Sequence, residues 1–461
     1  MRIWIKQPLS VFSPGVDSAA FADGLVVHGG QVVEHVASGQ QPSQPVDETF
    51  DAREHVLLPG LINTHHHYYQ TLTRAIRAAT NKPLFPWLTS LYPIWANLSE
   101  EMIDISTRLA CAELLLSGCT TSADHHYVFS AETARAVDVQ VLAARETGVR
   151  SVLTRGSMSL GQSAGGLPPD RVTQTEDEIL ADSERVIAAH HDPAAFAMTQ
   201  IALAPCSPFS VTPRLMQDTA ELAAQHKVML HTHLAETQDE NDFCLESLGQ
   251  RPLDYIEECG WLRAGTWFAH GIHFTADEID RIGKAGAAVS HCPSSNMFLG
   301  SGICPVESLQ HAGALVGLGV DGSASNDASS LIQEVRQALL LQRLRAGLQG
   351  PEGLPAEQIY GWDAALGLAT RGSADLLGRP ELGGLQLGQA ADLALFKMDE
   401  PRFSGAQDPL AALVLSGAVC ADAVMVQGEF RVKHGQLCDT DLPALMDRHQ
   451  TLAVELLAAA G

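Results

Sequence analysis

Histidines and acids spaced to meet at one point are the first chemistry visible in this chain. The run LLPGLINTHHHYYQ carries His65 and His67 two positions apart at the end of an apolar stretch. In an extended strand residues i and i+2 project from the same face, so the two imidazoles can grip one metal ion. His66 between them faces the other way and reads as a structural group. The segment HTHLAET offers His231, His233 and Glu236, of which His233 and Glu236 form the favoured pair. Imidazole binds zinc or iron well, and a nearby carboxyl left off the metal can move protons. Two single residues follow, each just after an apolar run: His270 in TWFAHGIHF and Asp321 in LVGLGVDGSASND. Taken alone, such a histidine is commonly a satisfied structural group and such an aspartate a helix cap.

Residues placed this way need strands that end at a common mouth. Short apolar segments alternate with amphipathic helical ones through the middle of the chain: HVLLPGLINTH, GCTTSADHH, RSVLTRG, TQIALAP, VMLHTH, TWFAHG, AAVSHC and LVGLGVD. Stretches such as 100–118 and 328–347 have the helical pattern expected between them. The alternation predicts an α/β fold, a (β/α)8 TIM barrel over residues 59–380, whose chemistry sits at the C-terminal ends of the strands. Strand-rich texture in residues 1–58 returns in 391–397 and 421–437. Residues 1–58 and 381–461, the latter with a terminal helix, are therefore expected to form a small composite β-sandwich domain from both chain ends.

The chain has 461 residues and a formal net charge of -25, which argues against nucleic-acid backbones as partners. Its nine cysteines are scattered with no CxxC pair, so neither a disulfide framework nor a cysteine zinc finger is suggested. The opening MRIWIKQPLS lacks a basic stretch leading into an apolar core, and no apolar run reaches membrane-spanning length. A cytoplasmic protein acting on a small molecule, with a homo-oligomer possible, is expected.

Ordered as HxH, HxxE, H and D on strands one, five, six and eight, these residues resemble the constellation of the amidohydrolase superfamily, and PGLINTH, DGSASND and the flanking β segments extend the likeness over nearly the whole chain. Two-metal members carry a lysine at the end of strand four, and TQIALAPCSPFS has none, so the resemblance implies one divalent metal held by His65, His67, His233 and Asp321. Zinc is the default, and iron suits the same ligands. It also implies that Asp321 takes a proton from the attacking water, Glu236 protonates a ring nitrogen, and His270 stabilises the developing charge. In HHHYYQTLTRA, NKPLFPWLTSLYPIW, LTRGSMSLGQSAGGLPPD, APCSPFSVTP, HLAETQDENDFC and HCPSSNM the chain is similar to the branch deaminating aminated purines and related heterocycles, in detail to bacterial members acting on 8-oxoguanine. The reaction implied is 8-oxoguanine plus water to urate plus ammonia.

Gln70, three residues beyond His67, stands where guanine-deaminating relatives carry a glutamine that reads the base edge; a helix-start role is its plain alternative. Trp87, Tyr92 and Trp95 either cover a flat ring or, for most of them, pack their loop. The glycine-rich stretch 156–170 suits either a lid or a surface connection, and Arg74 and Arg155 are expected to pair with acids rather than clamp an anion. Rivals on the same fold are a hydroxyatrazine-type amino- or chlorohydrolase and an adenosine- or S-adenosylhomocysteine-type deaminase. A metal-binding scaffold without turnover is the rival from another class, and the presence of both Glu236 and Asp321 speaks against it.

Overall fold

Strands buried on both faces carry near-continuous apolar runs, because helices cover them outside and side chains fill the space between them. The eight segments singled out above behave this way in the computed structural model, which describes residues 1–348 and 359–460. Leu61–Asn63, Cys119–Asp124, Arg150–Ser157, Thr199–Pro205, Leu230–Leu234, Thr266–His270, Ala288–His291 and Leu315–Leu318 pair in parallel and close into a barrel. Leu318 beside Asn63 joins the eighth strand to the first. Helices cross between successive strands; Glu100–Leu116, for example, is started by Ser99, whose Oγ accepts the N–H of Met102 at 3.3 Å.

The run HVLLPGLINTH, expected to be one strand, divides at Gly60. His55–Pro59 leaves the barrel to pair antiparallel with Leu393–Lys397, and Leu61–Asn63 enters it. A β-carbon at Gly60 would lie 2.1 Å from Thr120 Oγ1, so only glycine lets the chain turn this closely against the second strand. His55–Pro59 thereby joins a six-stranded sheet with Ser10–Val11, Leu393–Lys397, Ala423–Val426, Glu429–Lys433 and Gln436–Leu437. A four-stranded sheet of Gln31–Val36, Gly24–His28, Arg2–Lys6 and Glu48–Asp51 packs on it through a shared core that includes Ile5, Val27, Leu57, Leu393 and Met425. Both chain ends build this sandwich.

At the opposite end of the barrel from the strand C-termini, Arg150 is wholly buried at the start of the third strand. Its guanidinium grips Asp392 through Nε at 3.0 Å and Nη2 at 3.1 Å and donates through Nη1 to the carbonyls of Phe196 and Ala197. Asp392 also accepts the N–H of Gln427 at 2.7 Å, so this charge pair fastens barrel to sandwich with its lone pairs used. The aromatic segment treated as a loop in the sequence is instead a helix, Leu84–Trp95. Of its two prolines, Pro86 falls in the first turn, where its missing N–H costs nothing, and Pro93 lies inside the helix close to its C-terminal end. Leu84, Leu88, Leu91 and Trp95 supply a buried stripe at helical spacing. Among the described residues no helix is long and apolar enough to cross a membrane.

Candidate metal centre and active site

Each sequence-derived candidate leaves a barrel strand at its C-terminal end, and the barrel brings them together. His67 Nε2 lies 3.2 Å from His233 Nε2, and Asp321 Oδ1 lies 3.3 Å from Nε2 of both His65 and His67. His270 Nε2 stands 3.8 Å from the other Asp321 oxygen and 3.5 Å from Glu236. His66, as expected, turns away: its Nδ1 accepts the N–H of His67 and its ring packs on Tyr68.

The outer hydrogen bonds decide where the imidazole protons are. His67 Nδ1 donates to the carbonyl of His125 at 2.6 Å, and His233 Nδ1 to that of Cys206 at 2.6 Å. His231 Nδ1 donates to the carbonyl of Trp267 at 2.9 Å, which leaves His231 Nε2 to accept from His65 Nδ1 at 2.8 Å. With Nδ1 protonated in each ring, Nε2 of His65, His67 and His233 presents a lone pair toward the others and toward a carboxylate. Such donors repel one another unless a cation sits between them; three imidazoles and a carboxylate, each oriented from behind, fit a divalent metal. His125 also belongs to the cluster of donors lying within 4.8 Å of one another. Its ring stacks on His233 at 4.7 Å while its Nε2 donates to the carbonyl of Ala204, so it supports the centre from the side.

Three non-glycine residues at these strand ends have left-handed backbones: Ala235 (φ 53°), His270 (φ 74°) and Asp321 (φ 64°). Each such residue costs on the order of 1–3 kcal/mol, and such strain clusters where side chains are aimed rather than merely packed. Asn296 Oδ1 accepts from His270 Nδ1 at 2.8 Å and fixes that ring.

Two carboxyls a few ångströms apart are pushed in opposite directions. Burial, with the Asp321 charge nearby, drives the Glu236 carboxyl well above the usual range, toward its protonated form. Burial alone would also raise Asp321, but the imidazoles of His65, His67 and His270 grouped around it outweigh that and hold its carboxyl well below the usual range. Burial likewise holds His65, His231 and His233 well below the ordinary histidine range. One acid that keeps its proton beside one that loses it is the arrangement acid–base chemistry needs.

A cavity opens over these groups. Glu236, His270 and Asp321 line it together with the apolar side chains of Trp87, Leu88 and Phe209. Gln70 lines it; its Oε1 would be 1.9 Å from a β-carbon at Gly322, so glycine after Asp321 makes room for the amide. Packing is the role of Trp95, which is buried and donates to Thr73, whereas Trp87 and Tyr92 line the cavity. None of residues 156–170 lines it. Arg155 pairs with Asp182 and Arg74 with Glu113. Sequence reasoning passed over His125, though it follows an apolar strand as His65 does, and over Tyr127 and Cys206, which line the cavity.

The chain matches the amidohydrolase family over residues 56–431 and belongs to it; it is a hydrolase of C–N bonds. It is 58% identical to 8-oxoguanine deaminase of Pseudomonas aeruginosa over 458 residues, 99% of each chain. It is 37% identical to hydroxydechloroatrazine ethylaminohydrolase of Pseudomonas sp. (strain ADP), over 86% of this chain and 81% of that one. The crystal structure of atrazine chlorohydrolase from Arthrobacter aurescens TC1 complexed with zinc superposes with a TM-score of 0.90 at 31% identity, covering 98% of this chain and 100% of that one.

Proposed function

We propose that this protein hydrolyses 8-oxoguanine to urate and ammonia. The observation that carries the reading is the end-to-end 58% identity to a deaminase of that base, in a chain whose candidate residues converge on one metal-capable mouth. His65, His67, His233 and Asp321 would hold one divalent cation, with zinc favoured by donor chemistry and by the zinc-bound relative. When bound, such an ion supplies Lewis acidity that makes water available as a nucleophile at neutral pH.

The residues do the rest. Asp321, ionised, accepts the proton of the attacking water. Glu236, protonated, donates to the ring nitrogen beside the attacked carbon, and His270, held by Asn296, stabilises the charge developing there. Asp321 then passes the proton it took to the exocyclic amine, which leaves as ammonia, while the new hydroxyl returns a proton to Glu236 and becomes the product carbonyl. Gln70, offering both a donor and an acceptor, reads the lactam edge of the base.

In domain terms we assign catalysis to residues 59–380 and the sandwich to 1–58 and 381–461, the latter carrying the terminal helix Leu442–Ala459 as well. The free thiols of all nine cysteines support a reducing compartment, the cytoplasm.

The test is ammonia release, with the ultraviolet spectrum followed in parallel, on zinc-loaded protein given 8-oxoguanine, guanine, isocytosine, adenosine and hydroxyatrazine separately. Conversion of 8-oxoguanine to urate is expected. Silence on that base, with alkylamine release from a triazine or ammonia from adenosine, keeps the family and discards the substrate.

A further inference from the structure

We propose that Glu240 is a positioning residue for Glu236: its carboxyl clamps the backbone turn that presents the Glu236 side chain to the substrate. The inference rests on the reading of Glu236 as proton donor.

Helix Gln238–Ser247 begins at Thr237, whose side chain makes no capping hydrogen bond. In the usual device, the acid three residues beyond the cap reaches back to the cap's own N–H. Here the acid reaches further. Glu240 Oε2 accepts the N–H of Glu236 at 2.8 Å, and the N–H of Ala235 is also directed at the carboxyl. The left-handed Ala235 is held on its other side too, its carbonyl accepting from Ile272 and His273 at 2.9 Å each. The turn that aims Glu236 is thus fixed from both sides, by the loop after strand six and by Glu240.

Glu240 is completely buried, and its Oε1 has no hydrogen-bond partner among the described residues. A carboxyl in that setting is expensive and unnecessary for a helix interior, where an apolar side chain packs as well. What it provides is acceptor geometry at two successive amides. Burial pushes its carboxyl up to about 7, so it is partly protonated at neutral pH, and Oε2 accepts in either form. Reach matters more than charge.

Glu240→Gln keeps reach and removes charge; Glu240→Asp keeps charge and loses reach; Glu240→Ala loses both. Each variant, loaded with zinc, is compared with wild type for kcat and KM on the heterocycle that wild type turns over fastest, for bound zinc, and for hydrogen exchange of the 234–237 amides. The Asp and Ala variants are expected to lose about 10–100-fold in kcat, the cost of an ångström-scale misplacement, with KM and zinc content unchanged and the Glu236 amide exchanging faster. The Gln variant is expected to stay within about threefold of wild type, with protection retained. Wild-type kcat in the Asp variant, loss in the Gln variant equal to that in Ala, or unchanged Glu236 amide protection in both Asp and Ala would each overturn the clamp. If Ala does not fold, the Asp–Gln contrast decides. Amide exchange reads the clamp without any substrate, so a wild type silent on 8-oxoguanine discards the proposed reaction and leaves this result standing.

Discussion

The two ends of one barrel treat buried charge in opposite ways. At the base, Arg150 and Asp392 satisfy each other and spend their remaining donors and acceptors on backbone. At the mouth, buried polar atoms such as His65 Nε2 and Glu236 Oε1 stand without a hydrogen-bond partner among the described residues, and the backbone that carries His270 and Asp321 is strained. Satisfied charge holds the fold; unsatisfied charge waits for a metal and a substrate. The barrel separates stability from chemistry along its axis.

The largest expected effect would sharpen that contrast. Glu236→Gln should lower kcat by about 10²–10⁴-fold, the range for a lost general acid, with thermal midpoint and zinc content close to wild type. An active variant would break the assignment of the mouth. At the base, Arg150→Met should cost about 3–5 kcal/mol by leaving Asp392 buried and unpaired, with kcat per folded molecule unchanged, read by urea unfolding and steady-state kinetics. A stable but inactive Arg150 variant would mean that the ends are coupled.

Acid titration gives a third test. Burial lowers His66, His126 and His291 to about 3 and His449 to about 4, so below pH 6.5 the unfolded chain binds protons that the folded one does not, and stability falls with pH until about 3. Asp124, Glu240 and Glu334, raised to about 7 by burial, act in reverse: the folded state holds extra protons between about 4 and 7, and stability rises as pH falls through that window. The two sets oppose each other down to about pH 4, below which the histidines act together with Asp51 and Asp138, whose carboxyls are held down at about 2 and lose their stabilisation as pH falls. Urea midpoints should change little between pH 6.5 and 4.5 and drop steeply from 4 to 3; a midpoint that keeps rising below 4 contradicts this. The smallest effect is at Gly322, where Ala would displace the Gln70 amide and raise KM severalfold, with kcat nearly kept, in initial-rate measurements.

The convergence at the mouth was legible because each candidate ends an apolar run and strand periodicity gives its direction: His65, His67, His233, His270 and Asp321 all announce themselves this way. What stayed hidden depends on geometry that one-dimensional spacing does not carry. Asn296, in the helix Pro293–Phe298 after the seventh strand, meets His270 at the end of the sixth, and Glu240 reads as an ordinary solvated helix acid until its burial is seen. The left-handed backbones of Ala235, His270 and Asp321 carry no glycine to mark them. Helix Leu84–Trp95 was masked by its prolines, and the division of HVLLPGLINTH at Gly60 by the absence of any break in its hydrophobicity.

That division has a consequence for biosynthesis. His55–Pro59 leaves the ribosome early, yet its partner Leu393–Lys397 is translated only after all eight barrel strands. At ~5–20 residues per second the nascent chain carries an unpaired apolar edge for on the order of tens of seconds, while the barrel that separates the two strands is being made. Translation speed and chaperone supply therefore govern how much of this protein matures, and slowing the ribosome between the two strands should lower its soluble yield without touching a residue of the mouth.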